Sequence, residues 1–121
     1  MTSTDLKLRF KNFSLRIIKL ADSLPLDKPS GKAIANQIVR SGTSPGTNYR
    51  CACLGKSDKD FLNKLKIVEE ELDETLYWLE LIVESELVKK EKLIDLINEN
   101  KELLSIIVSS IKTTRNRVNS K

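Results

Sequence analysis

Two cysteines stand one residue apart, Cys51 and Cys53, in a chain that contains no histidine. Such a pair suggests a metal or redox site. On a helix, however, residues two apart do not share a face, and no further Cys or His is present to complete a ligand set. Two small packing residues in a reducing compartment are the better account, and they form no disulfide framework. The densest carboxylate cluster is Glu69-Glu70-Glu71 with Asp73 and Glu74. Helical bundles hold paired metals through carboxylates, but those sites also use Glu-x-x-His. Without His, a solvated or partner-facing surface explains the cluster, and no metal or cofactor is expected. Ser and Thr are plentiful, yet no His can activate them. No catalytic residue is assigned, and a non-enzymatic role is expected.

Ser41-Gly42-Thr43-Ser44-Pro45-Gly46-Thr47-Asn48-Tyr49 is the most informative run. Small polar residues cost helix propensity, so a compensating reason is expected. Gly42 and Gly46 lie four apart, which lets another helix approach closely; Pro45 and Tyr49 share that packing face. A phosphate-binding loop is the competing idea, but no Gly-Lys-Ser/Thr follows. Arg40 and Arg50 flank the run and leave open a functional surface there.

The charge is segregated. The 121 residues sum to +4, but residues 1–56 carry +7, residues 57–88 carry −7 and residues 89–121 carry +4. Basic segments beside an acidic one neutralise one another in a compact fold, or present faces of opposite sign for association. Arg9, Arg16, Arg40, Arg50, Arg115 and Arg117 are the candidate nucleic-acid contacts, chosen for charge and for arginine's bidentate phosphate geometry. Aromatics make up only 5%, so base stacking and sequence-specific reading of single strands are not expected.

The elements that must position these residues follow from apolar spacing. The length suits one domain, residues 1–121. Leu6, Phe10, Phe13, Ile17, Leu20 and Leu24 form one helical stripe over residues 5–24. Leu24-Pro25 ends it. Ile34, Ile38, Gly42, Pro45, Tyr49 and Ala52 keep helical phase over residues 30–53, with Ser30 as cap. That phase favours one helix kinked near Pro45; a break with Ser44 as cap and Pro45 at the first position is the alternative. Phe61, Leu65, Val68, Leu72, Leu76, Leu79 and Ile82 mark residues 58–85, capped by Ser57. Leu93, Leu96, Ile97, Leu104, Ile107, Ile111 and Val118 mark residues 89–118. Short connections between long helices imply an all-α, antiparallel, up-down-up-down four-helix bundle. No secretion signal or membrane span is evident, so a cytoplasmic protein is expected.

A second apolar set exceeds what one core needs. Leu8 and Leu15 lie opposite the first stripe; Ile67, Trp78 and Leu81 lie away from the third; Ile94, Leu103 and Ile106 add to the fourth. Such stripes mark a broader core or a subunit interface, and Trp and Tyr are preferred anchors. A homo-oligomer is therefore expected through Leu8, Leu15, Ile67, Trp78 and Leu81. Glu71 and Glu74 would pair with a neighbouring subunit's cations.

Four runs carry a family resemblance: Gln37 to Tyr49, Ser57-Asp58-Lys59-Asp60-Phe61, Lys64-Leu65-Lys66-Ile67 and Glu74-Thr75-Leu76-Tyr77-Trp78-Leu79. In order and spacing, over roughly residues 8–115, the chain resembles the four-helix-bundle proteins encoded in 23S rRNA intervening sequences, which are sometimes labelled ribosomal proteins. It is similar also to the accessory proteins of diversity-generating retroelements. The resemblance implies an antiparallel bundle assembled as a ring-like homopentamer, and nucleic-acid binding through basic surface. Pro45 stands where the family usually has Val or Ile, and Cys51 where a small or acidic residue is frequent. The expected function is non-catalytic binding of rRNA or other structured RNA or DNA. A protein-interaction scaffold built on the acidic third helix and Trp78 is the rival.

Overall fold

The computed structural model describes residues 1–120. It contains four helices: α1 (Ser3–Ser23), α2 (Pro29–Ala52), α3 (Asp58–Glu84) and α4 (Lys90–Asn119). No strand occurs among the described residues. The fold is all-α.

Each helix begins for a readable reason. Thr2 caps α1 in a reciprocal box: the Asp5 amide donates to Thr2 Oγ1 at 3.1 Å, and the Thr2 amide donates to Asp5 Oδ2 at 3.0 Å. Those hydrogen bonds hold the Asp5 carboxyl below its ordinary pKa. Helix α2 begins at Pro29, whose fixed φ suits the first helical position. Its cap residue is Lys28, which makes no side-chain capping bond. The expected Ser30 cap is therefore corrected: proline geometry starts this helix. Ser57 caps α3 by accepting the Asp60 amide at 3.1 Å.

Helix α2 runs unbroken through Pro45, so the reading with a break and Ser44 as cap is set aside. Proline costs the helix the bond to the Ser41 carbonyl. Around it, side chains bind their own helix: Thr43 Oγ1 donates to the Val39 carbonyl at 2.7 Å, and Asn48 Nδ2 donates to the Ser44 carbonyl at 3.0 Å.

The core is continuous through all four helices. Phe10, Phe13 and Ile17 of α1, Ile38 of α2, Leu65, Leu72, Leu79 and Ile82 of α3, and Leu103 and Ile107 of α4 are fully buried. Burying such a side chain contributes about 1.5–3 kcal/mol. Helices adjacent in sequence pack broadly, whereas α1 and α4 meet over a shorter stretch. A Cβ on Gly42 would lie 2.5 Å from Ile17 Cγ2, and Phe10 stacks on Tyr49 with ring centroids 5.2 Å apart. Contacts between α1 and α2 therefore run in opposite sequence order. At the other side, Asp58 at the start of α3 meets Arg117 near the end of α4.

Two expected stripes shift in phase. Leu62 and Thr75 are buried in α3, while Phe61 and Leu76 are half-buried. In α4 the buried series is Leu93, Leu96, Asn100, Leu103, Ile107, Ile111 and Thr114. Leu103, expected in the outer stripe, is core; Ile97, Leu104 and Val118, expected in the core, are half-buried. The cause is polar occupancy. Thr75, Asn100 and Thr114 hold core positions, so a reading that follows apolar residues steps around them.

Candidate nucleic-acid interface

The six candidate arginines divide into two groups. Arg9 reaches from α1 to α4, with Nη2 2.5 Å from Glu99 Oε1 and 3.1 Å from Glu102 Oε1. Hydrogen bonding to Glu99 raises its already high pKa, so it stays charged. Arg40 reaches from α2 to α3, with Nη1 3.1 Å from Glu71 Oε2 and Nη2 on Glu74. Arg117 Nη2 lies 3.5 Å from Asp58 Oδ1. These three sit between helices and are engaged with carboxylates. Arg16, Arg50 and Arg115 are exposed, and no carboxylate among the described residues lies within ion-pair distance of them.

Glu71 and Glu74 were expected to pair across a subunit boundary. Within the chain both pair with Arg40, because one turn of α3 places them together opposite it. Glu74 also accepts from Trp78 Nε1 at 3.1 Å. Trp78 and Leu81 are half-buried and pack on the core. Leu8 and Leu15 remain 58% and 57% exposed, and Ile67 lies on the exposed face of α3. Ile18, at 38%, joins Leu8 and Leu15 on α1.

The small-residue run does two jobs. Gly42, Pro45 and Tyr49 are buried, with Gly42 against Ile17 and Tyr49 against Phe10 of α1. Burial first, and the neighbouring Cys53 second, push the Tyr49 hydroxyl pKa up. Gly46 stands 3.4 Å from Phe10 Cβ for a built Cβ, ordinary contact distance. Its lighter packing leaves a shallow groove of about 630 Å³ between α1 and α2. Lys7, Leu8, Lys11, Ser14 and Ile18 line it from α1, and Thr43, Gly46, Thr47 and Arg50 line it from α2. No acidic residue and no aromatic is in that lining. Sequence reasoning missed Lys7 and Lys11. Their signal was present: they stand one turn apart on the face of α1 that meets the Gly46 run. Cys51 is exposed and Cys53 half-buried, both as free thiols. No helix among the described residues is long and apolar enough to cross a membrane.

A family model described as 23S rRNA-intervening sequence protein matches residues 5–109, most of the chain. The chain belongs to the 23S rRNA-intervening sequence protein family. The match takes in α2, α3 and the whole lining of the groove. A solved relative fits the same fold: the crystal structure of a protein of unknown function from the S23 ribosomal protein family of Bacteroides thetaiotaomicron VPI-5482. It is 36% identical, with a TM-score of 0.82, over 88% of this chain and 98% of that one. No curated protein matches the chain. In this intervening-sequence protein, then, the basic face rests on a scaffold shared with a solved family structure.

Proposed function

We propose that this intervening-sequence protein is a non-catalytic, cytoplasmic homo-oligomer that binds structured RNA or DNA through its basic surface. One observation carries the reading: among the described residues no carboxylate lies within ion-pair distance of Lys7, Lys11 or Arg50 on the α1–α2 face, while acidic α3 spends Glu71 and Glu74 on Arg40. Positive charge is thus left open on one face. Backbone phosphates are the chemistry that neutralises it, with affinity that falls steeply in salt. The expected kinship with accessory proteins of diversity-generating retroelements supports the same partner class. Exposed Leu8, Leu15 and Ile67 support self-association, and the resemblance makes a pentamer the expected assembly.

The test is retention of a 23S rRNA fragment by the purified protein at low and moderate salt, read with light-scattering mass. Binding that weakens with salt supports the reading. Changing Arg16, Arg50 and Arg115 to Gln should weaken binding, whereas Arg40→Gln should leave it nearly intact. A protein that ignores RNA and DNA throughout sinks the proposal and favours the scaffold alternative.

A further inference from the structure

The groove between α1 and α2 has a lining whose hydrogen-bond polarity is unusual for a phosphate site. A hydroxyl has one proton to give and two lone pairs to receive. In this groove the protons are directed inward. Thr43 Oγ1 donates to the Val39 carbonyl at 2.7 Å, Ser14 Oγ to the Gly42 carbonyl at 3.3 Å, and Thr47 Oγ1 to the Thr43 carbonyl at 3.4 Å. The Ser14 bond crosses from α1 to α2, so the groove floor is held from both sides. The outward faces of these oxygens are acceptors. A phosphate also offers only acceptors, so it gains from these hydroxyls only where one turns its proton away from the helix carbonyl. Its partners are the cations: Lys7 and Lys11, one turn apart and about 6 Å along the α1 axis, with Arg50 facing them from α2.

A ligand that satisfies both halves of this lining carries anions and hydroxyl donors in alternation along one edge. We infer that the groove receives the ribose-phosphate backbone of RNA, with phosphates on Lys7, Lys11 and Arg50 and ribose 2′-hydroxyls donating to Thr43 and Thr47. Leu8 and Ile18 supply the apolar flank. The 2′-hydroxyl is the group by which a protein tells RNA from DNA. With no aromatic in the lining, bases are not stacked, and recognition is of backbone chemistry rather than sequence. This inference rests on the nucleic-acid reading above and narrows it from RNA or DNA to RNA.

The experiment measures anisotropy of a labelled RNA oligonucleotide and of the DNA of identical sequence, bound to the full chain across a salt series. The wild-type protein should bind RNA more tightly. Thr43→Val with Thr47→Val should lower RNA affinity about five- to tenfold and leave DNA affinity unchanged. Lys7→Gln, Lys11→Gln and Arg50→Gln should weaken both ligands alike and flatten the salt dependence. Circular dichroism and light-scattering mass verify that each variant keeps its fold and assembly. Equal affinity for RNA and DNA, or an RNA preference that survives the double Thr change, overturns the inference while leaving the wider reading in place. Failure of both ligands to bind overturns both. RNA binding that survives loss of all three cations, together with a fall in mass to one chain, makes the groove a self-interface and also overturns it.

Discussion

Asn100 is wholly buried in α4, and neither Nδ2 nor Oδ1 has a hydrogen-bond partner among the described residues. An unsatisfied buried amide costs about 1–3 kcal/mol. Asn100→Leu should therefore raise stability by about that amount, seen as a higher urea midpoint at unchanged slope. A lower midpoint would mean that the amide is paired in solution. Gly42 is the opposite case. A methyl there meets Ile17, which is itself fully buried and has no room to yield. Gly42→Ala should cost about 1–3 kcal/mol by overpacking, measured in the same titration, whereas Gly46→Ala should be tolerated because its built Cβ has ordinary contacts. Arg40 and Arg50, which look equivalent in sequence, diverge for a related reason. One is held between α2 and α3, and the other stands open beside the groove.

The turn between α3 and α4 carries the clearest element-scale strain. The Glu86 amide donates to the Val83 carbonyl at 3.0 Å and the Leu87 amide to the Ile82 carbonyl at 3.1 Å. This paired pattern requires a left-handed residue after the helix, usually glycine, and Glu86 adopts φ of 61°. Glu86→Gly should raise the melting temperature by a few degrees, about 0.5–1 kcal/mol; no change would indicate that glycine's greater unfolded-state freedom cancels the relief. Helices α1 and α2 were legible because every stripe residue, from Leu6 to Leu24 and from Ile34 to Ala52, is apolar or small and is buried. Helices α3 and α4 were legible in extent but not in face. Thr75 donates to Ser41 Oγ at 2.9 Å inside the bundle, and a buried hydroxyl pair has no signature in one-dimensional hydropathy. The basic groove was half legible: Arg50 and the Gly46 run were visible, whereas pairing them with Lys7 and Lys11 needed the packing of α1 on α2. The ion pairs of Arg9, Arg40 and Arg117 join residues at least 31 positions apart, beyond what local spacing reveals.

At the scale of the molecule, the phosphate contacts proposed for the groove's three cations, Lys7, Lys11 and Arg50, would set the groove's share of the salt response. The slope of log affinity against log salt should be about −2 for single strands, with Lys11→Gln reducing its magnitude by somewhat less than one; a slope near zero would exclude backbone contacts. The shape of the fold also bears on how it forms. Three helix seams join neighbours in sequence through short turns, so their closure needs only small loops. The α1–α4 seam joins the two ends of the chain, is narrow, and is bridged by Arg9 on Glu99 and Glu102. That seam should close last on the folding path. Arg9→Ala should then accelerate unfolding in stopped-flow denaturant jumps while leaving the refolding limb almost unmoved. The guanidinium would act as a latch on lifetime: it delays the native state's departure without hastening its arrival.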